Sequence, residues 1–301
     1  MSQFILVVEP PQTCWPKGYV VRSGHNSNSL NKTSLYATKN HLVPNQKRLH
    51  QNFIDLKKTL KLAGFKLVVL PFPDELNSND GSHHDGVFIR DVGMNFKDIW
   101  IKANFSAKGR QLEAEVFAQM IKNKFNKEII TPPSESFIEF GEVYYLETAD
   151  GTYYFGGLSR ANQAGHLFVK SIIKPDIFVL IESSGFHLDT VLTPVLSYDN
   201  HLVAVIVSPE MISKSSLQAL HQLPLKVMEV EAFDTIGLEG RGNYAVNCLV
   251  GPGVLVSGAR FKTLGIHKQL EEFDIRFFTT ALTDFNLSGG SVHCLTNEIV
   301  V

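Results

Sequence analysis

The chain reads as an α/β protein assembled from five repeats of one helix-and-strand unit. Three observations predict this. Amphipathic helical patterns alternate with short β-branched and aromatic runs. The strand that follows each helix, marked by Val68, Ile129, Val179, Val227 and Phe277, returns at intervals of roughly 50 to 60 residues, the spacing of propellers and arrays. The composition, 44% hydrophobic and 19% charged over 301 residues, is that of a globular chain able to bury a sizeable core.

Taken in order, Phe4–Val8 reads as a buried strand. From Glu9 to Pro44 the composition turns polar, through Asn26, Ser27, Asn28, Ser29, Asn31, Lys32 and Thr33, with little periodicity. So long an irregular segment in a compact protein is a functional loop, and 9–44 is expected to act as a lid. Asn45 to Ala63 predicts a helix with Leu49, Phe53, Leu56 and Leu60 on one face and Gly64 as its stop, followed by a strand over Lys66–Leu70. The same pair recurs as Gln111–Asn126 with Glu128–Thr131, and as Ala161–Lys174 with Ile177–Ile181. It returns as Pro209–His221, with Ser208 as N-cap and Pro209 at the first helical position, ahead of Leu225–Val230. The last pair is Phe261–Phe273 with Ile275–Thr279. Further short strands are expected at Val87–Ile89, Ile99–Lys102, Val143–Leu146, Tyr153–Phe155, Leu202–Val207 and Val254–Ser257.

The formal net charge is -2, from 28 basic and 30 acidic residues, which provides no basic surplus for nucleic acid or an anionic membrane. Cys14, Cys248 and Cys294 are odd in number and widely spaced, against a disulfide framework or zinc knuckle and in keeping with a reducing compartment. The apolar run Phe4–Val8 is too short for a signal peptide, and no stretch approaches the ~20 apolar residues of a membrane span. A cytoplasmic protein, organised as a single catalytic domain over 1–301, is expected. Nothing in the residues speaks to oligomeric state.

In each repeat, beyond the marker strand, a polar or reactive residue interrupts a strand-like stretch. These stations are Asp91, Glu139, His187 with Asp189, Asn247, and Cys294, which follows the run Ser288-Gly289-Gly290-Ser291. Each alone is ordinary: a carboxylate or histidine in a strand is usually a satisfied structural group, and Cys294 alone would be a small buried thiol behind a turn. In register around a pseudo-axis they place a thiol, an imidazole and three carboxylates together. A thiolate with an imidazole suits covalent catalysis. An oxyanion would be repelled by the carboxylates, whereas a guanidinium is planar, cationic and matches carboxylate oxygens in pairs. Asp91 and Asp189 would each grip one edge of it above the Cys294 sulfur, and the bound cation would favour the thiolate. His293 adjoins Cys294, but neighbours in an extended segment point to opposite sides, so His187 is the preferred base.

These stations resemble those of the guanidino-group-modifying (pentein) superfamily, which includes arginine deiminase, dimethylarginine dimethylaminohydrolase, agmatine deiminase and the amidinotransferases. The resemblance runs from Asp85 to Glu298, through Asp85-Gly86-Val87-Phe88-Ile89-Arg90-Asp91, Ile138-Glu139-Phe140-Gly141-Glu142-Val143, Gly156-Gly157-Leu158-Ser159-Arg160-Ala161-Asn162, His187-Leu188-Asp189-Thr190, Ala245-Val246-Asn247-Cys248 and Gly289-Gly290-Ser291-Val292-His293-Cys294-Leu295-Thr296. It implies a five-bladed ββαβ propeller with pseudo-five-fold symmetry and no metal or organic cofactor. It also implies Cys294 as nucleophile, His187 as acid and base, and Glu139 holding the histidine or a guanidinium nitrogen. Asp91 and Asp189 would bind the guanidinium, Arg110 and Arg160 the substrate's α-carboxylate, and Asp85 a further substrate group, with Asn247 on the substrate side.

The expected activity is hydrolysis of arginine or an arginine derivative to a ureido product through an amidino-thioether. His187-Leu188-Asp189 and Arg90-Asp91 resemble the deiminase pattern, and two gripping carboxylates leave little room for N-methyl groups. The chain's size is that of the dimethylarginine enzymes, and Phe140 and Glu142 depart from the superfamily's usual Glu-Gly-Gly-Asp or Glu-Ala-Gly-Asp. Amidinotransfer to an amine is the alternative reaction. A non-catalytic reading comes from the similar fold of ribosome-binding translation initiation factor six, which lacks the reactive set. His83-His84-Asp85 has metal-ligand residue types but reads as part of a solvated turn, and no metal ligand is assigned.

Overall fold

Five three-stranded sheets follow one another along the chain, and four of them share a single plan: an antiparallel hairpin, a helix, and a third strand parallel to the hairpin's second. The structure, a computed structural model, describes residues 3–13 and 31–301. Strand β1 (Gln3–Val8) is followed by α1 (Lys32–Lys39), α2 (Gln46–Leu62) and β2 (Leu67–Leu70), which lies parallel to β1 with Ile5 opposite Leu67. The next sheet pairs β3 (Gly93–Phe96) with β4 (Ile99–Lys102), then runs through α3 (Gln111–Phe125) to β5 (Glu128–Ile130). The third joins β6 (Val143–Thr148), β7 (Gly151–Gly157), α4 (Gln163–Ile173) and β8 (Ile177–Ile181). The fourth joins β9 (Leu192–Leu196), β10 (Leu202–Val207), α5 (Lys214–His221) and β11 (Lys226–Glu229). The fifth joins β12 (Leu249–Gly251), β13 (Val254–Ser257), α6 (Ile266–Glu272) and β14 (Arg276–Thr279). After α7 (Thr283–Asn286), β15 (Thr296–Val300) returns to pair antiparallel with β1, with Gln3 opposite Val300, and so completes the first sheet.

Local chemistry explains the recurrence. Each of the four hairpins turns on a residue with positive φ: Lys97 at 52°, Gly151 at 125°, Asn200 at 64° and Gly253 at 65°. Helix starts are set by side-chain caps, with Asn45, Asn162 and Ser213 accepting from the backbone N–H three residues on at 3.0, 2.8 and 3.2 Å. Helices α3 and α4 end on the left-handed Asn126 and Lys174. The face of α2 predicted to be apolar is the buried one, through Leu49, Phe53, Leu56 and Leu60. Trp100, Phe117, Tyr154, Phe155 and Phe285 are fully enclosed between helices and sheets. Among the described residues no helix is long and apolar enough to cross a membrane.

Several boundaries differ from the sequence reading. Helix α5 begins after Ser213, not at Pro209: Ser208 closes a turn that accepts Met211 N at 3.0 Å, and the helix waits for the next serine. Helix α6 begins at Ile266 and not at Phe261, because the Asp234 carboxylate holds the N–H groups of Lys262 and Thr263 at 2.8 Å each and Gly265 takes φ 82°. Val87–Ile89 is not a strand, since His84–Val87 is a 3-10 turn. Of the expected 9–44 loop, 31–39 holds α1, while Cys14, Asn26, Ser27, Asn28 and Ser29 lie outside the described residues.

Candidate active site

The station residues do not sit within strands. They occupy the turns just ahead of β3, β6, β9, β12 and β15, the first strand of each hairpin and the returning strand of the first sheet. Two of these turns are 3-10 segments, at Phe140–Glu142 and Leu188–Thr190, and the turn with Asp91 follows a third, His84–Val87. Each turn is bonded to the next: Phe140 N donates to Asp91 O at 3.2 Å, Leu188 N to Glu142 Oε2 at 2.8 Å, and Asn247 Nδ2 to Asp189 O at 2.9 Å. His293 N donates to Asn247 Oδ1 at 3.0 Å, and Arg90 N returns to Cys294 O at 3.2 Å. The five turns therefore form a continuous circuit of hydrogen bonds, with their polar side chains gathered at one place.

Asn31, Asp85, Phe88, Asp91, Arg110, Phe186, His187, Ser288 and Cys294 line a narrow cleft, with Gly289 and Gly290 in its wall. Gly289, at φ 87°, lies so close to the Asn31 amide that a Cβ would approach it to 2.7 Å, so a glycine is needed here.

Cys294 is 3% exposed and its thiol contacts Asp189 Oδ2 and Asn247 Nδ2, both at 3.3 Å. Burial first, then the negative charges of Asp189 and Asp91, push the thiol well above its ordinary range. His187 Nε2 donates to Glu139 Oε2 at 2.9 Å, and its Nδ1 faces Asp91 Oδ1 at 3.5 Å. Burial works against the imidazolium, but Asp91 and Glu139 outweigh it and raise the His187 pKa. Glu139 is ionised: burial opposes its charge, yet Arg160 Nε at 3.0 Å and His187 bring the carboxyl down to about 2. Asp189 is the opposite case, raised by burial to about 7. The site thus holds an imidazole biased toward its cation, a firmly ionised glutamate and an aspartate poised near neutrality.

Four buried polar atoms at this site have no hydrogen-bond partner: Asp91 Oδ1, Asp189 Oδ1, His187 Nδ1 and Arg160 Nη2. Such atoms are costly in a protein interior and are met by ordered water, by a ligand or by a catalytic partner. Two carboxylate oxygens beside a thiol require N–H donors, and an unpaired guanidinium nitrogen requires an acceptor.

Both arginines assigned to the substrate's carboxylate are buried. Arg110 is occupied throughout, with Nε on Glu113 at 2.8 Å, Nη1 on Asp91 at 2.8 Å and Nη2 on Asp85 O at 3.1 Å. Arg160 pairs with Glu139 and lies 4.4 Å from the Phe186 ring. Asp85 is half-buried and accepts from Ser288 Oγ at 3.1 Å. Arg90, counted among the motif residues, turns away to Glu298 on β15 with contacts of 2.6 and 2.9 Å. His84 contacts Thr13 Oγ1 at 2.9 Å and meets the Phe72 ring edge-on, which places it in a hydrogen-bonded loop.

Sequence reasoning passed over three contributors. Glu142 accepts from both Arg160 N and Leu188 N and so joins two loops. Gly141 faces His187 and Asp91 where a Cβ would lie 2.8 Å from Asp91 Oδ1. His293 Nδ1 lies 2.8 Å from Asp189 Oδ2, and the argument that it points away from the site fails because Val292–Leu295 is a turn, not an extended segment. A glycine between two acids at 139–142 was the one visible signal.

No family model and no curated protein matches the chain. Solved structures do. The N-terminal domain of ArgZ, an arginine dihydrolase from the ornithine-ammonia cycle in Cyanobacteria, seen as a cysteine-to-serine variant bound to substrate, is 18% identical with a TM-score of 0.78, over 99% of this chain and 98% of that chain. The ternary complex of AgrE with ornithine and NAD+ is 17% identical with a TM-score of 0.78, over 99% of this chain and 39% of that chain. A dimethylarginine dimethylaminohydrolase adduct with 4-chloro-2-hydroxymethylpyridine is 15% identical with a TM-score of 0.68, over 99% and 100%. The fold is shared with these proteins along the whole chain.

Proposed function

We propose that this chain, which has the fold of the arginine dihydrolase and dimethylarginine dimethylaminohydrolase structures, is an amidinohydrolase acting on the guanidinium of arginine or an arginine derivative. In this reading 1–301 forms one catalytic unit, with the five sheets as blades of a propeller around the cleft. The observation that carries it is the pair of buried carboxylate oxygens without a hydrogen bond, Asp91 Oδ1 (which faces His187 Nδ1 at 3.5 Å) and Asp189 Oδ1, beside a buried thiol and a histidine biased toward its cation. A guanidinium supplies the N–H donors that both oxygens need, and an unmethylated one fits where both edges are held.

Its positive charge also answers the question of how so buried a thiol ionises. The same burial that raises the Cys294 pKa makes a neighbouring cation effective in lowering it, so the thiolate forms as substrate arrives and the thiol proton is released to solvent. The sulfur adds to the guanidinium carbon. The carbon–nitrogen bond then breaks as His187 gives its proton to the departing nitrogen, which leaves as ammonia or an amine. Water, losing a proton to His187, attacks the resulting amidino-thioether; the carbon–sulfur bond breaks and a ureido product departs. Glu139 stabilises the imidazolium throughout, and Asn247 braces the thiol and the backbone N–H groups of His293 and Cys294. Arg110 is assigned to fixing Asp91 and not to the substrate's carboxylate, because its three nitrogens are engaged. Arg160, through its unpartnered Nη2, keeps that assignment.

The test is incubation with arginine, monomethylarginine, dimethylarginine, agmatine and acylated arginines, scored for ureido product and released ammonia or amine. Cys294→Ser should fold and lose at least about 10³-fold in kcat/KM, and His187→Ala should accumulate an amidino adduct on Cys294 visible by mass spectrometry. Turnover by Cys294→Ser, or no turnover of any guanidine with Cys294 unmodified, overturns the reading.

A further inference from the structure

The hydrogen bond from His293 to Asp189 has a role that the proposed reaction does not yet use. His293 Nδ1 lies 2.8 Å from Asp189 Oδ2, the same oxygen that the Cys294 thiol meets at 3.3 Å. The other oxygen, Oδ1, is buried and unpartnered. His293 is itself 2% exposed, and its ring is held against Tyr144 at 4.5 Å between centroids. Its backbone N–H is fixed by Asn247 Oδ1 at 3.0 Å. These contacts hold the ring with one nitrogen toward one carboxylate oxygen.

The charged and titratable groups facing it are Asp189 and His187 from the turn ahead of β9, Arg90 from the turn ahead of β3, Tyr144 from β6, and Cys294 from its own segment. Burial, Arg90 and His187 together keep His293 neutral. When Asp189 is ionised, Nδ1 must then carry the ring proton and donate it, since a carboxylate only accepts.

We propose that His293 is a positioning residue for Asp189: its Nδ1–H holds Oδ2 and thereby fixes Oδ1 as the oxygen offered to the guanidinium. Two consequences follow. The carboxylate cannot rotate to satisfy both oxygens on the thiol and Asn247, so its free oxygen stays aimed. The charged form of Asp189 is also favoured over the protonated one, because a hydrogen bond to a carboxylate stabilises the ion. Without it, a fully buried aspartate beside Asp91 would hold its proton further into the alkaline range and grip a cation less well. The role rests on the amidinohydrolase reading, but the link between His293 and the ionisation of Asp189 does not.

The experiment follows both. In protein labelled with 13C at the aspartate carboxyls, the Asp189 resonance, assigned by its loss in Asp189→Asn, is titrated in the wild type and in His293→Ala, His293→Asn and His293→Gln. In parallel, kcat/KM for arginine is measured across the same pH range. Asn places an amide nitrogen near Nδ1, whereas Gln places one near Nε2. Ala and Gln should raise the Asp189 midpoint by about one unit, and Asn should restore it. The acid limb of kcat/KM should move with the midpoint, giving about tenfold loss on the acid side and a high-pH plateau within a few-fold of wild type. If Ala does not fold, the Asn and Gln pair decides. An unmoved Asp189 midpoint, or an acid limb that ignores a moved one, overturns the proposal. Absence of turnover in the wild type defeats the amidinohydrolase reading instead, while the carboxyl titration still decides whether His293 governs Asp189.

Discussion

Gly141 shows how little space the reactive pair leaves. It lies between Glu139 and Glu142, and the volume a Cβ would need is already taken by the His187 ring and Asp91 Oδ1. An alanine here must push the imidazole off Glu139 or turn Asp91 away from it. Gly141→Ala should therefore fold, because the turn's backbone is ordinary and the glycine is not in the positive-φ set. It should also lose at least about 10²-fold in kcat, since about an ångström of misplacement costs that much. Thermal melts together with steady-state kinetics check both halves, and a fully active Gly141→Ala would mean that His187 and Asp91 are not the reacting pair. At this scale the site is a set of buried charges, each held by a neighbour of opposite sign, apart from Asp189, whose partner is a neutral histidine.

At the scale of elements, the carboxylate of Glu142 bridges two loops. It takes the Arg160 N–H as the chain leaves β7 and the Leu188 N–H in the turn that carries His187, and Gly157 has no side chain because Glu142 fills the space. Glu142→Gln offers one acceptor and one donor to two donors, so one N–H goes unpaired at a cost of about 1–3 kcal/mol. Denaturant unfolding should show that loss, hydrogen exchange should show faster opening at Leu188, and kcat should fall with it. Unchanged protection at Leu188 would refute the bridge. Elements also explain what the sequence disclosed and what it withheld. The helices and parallel strands were legible because α2 and α3 carry apolar residues at helical spacing and Val179 and Val227 lie in β-branched runs. Strands β3, β9 and β12 were not, being three to five residues long with no alternation, in Gly93–Phe96, Leu192–Leu196 and Leu249–Gly251. The stations could be listed because the repeat puts a polar residue in each unit at one place. Their partners could not, because Arg110 on Asp91, Glu142 on Leu188 and His293 on Asp189 are contacts between different units, which no local pattern encodes.

For the whole molecule, the buried carboxylates make stability depend on pH in two windows with opposite slopes. Glu139 has a folded pKa of about 2, below its ordinary value of about 4.5, so the unfolded chain binds its proton first as pH falls. Its contribution, on the order of 3 kcal/mol, is complete above about pH 4.5 and is lost as pH falls toward 2. Asp189 runs the other way. With a folded pKa of about 7 against about 3.8 unfolded, the native state keeps a proton that the unfolded chain has released, and stability declines as pH rises from about 4 to about 7. His187, raised by Asp91 and Glu139, extends the decline to higher pH, since its stabilisation is intact below its unfolded pKa of about 6.5 and is lost as pH rises through the folded one. Denaturant unfolding across pH should therefore rise from strongly acid conditions to a maximum near pH 4.5 and fall toward neutrality, without the broad neutral plateau common among proteins. Asp189→Asn removes the second window. It should match wild type near pH 4.5 and exceed it by about 2–4 kcal/mol at pH 8, while losing guanidinium binding. A wild-type profile flat from pH 5 to 8, or an Asp189→Asn variant no more stable at pH 8, would show that Asp189 is already ionised without a ligand. The cation would then have no carboxyl proton to displace, and the stabilisation that arginine brings at saturating concentration would no longer depend on pH across that window.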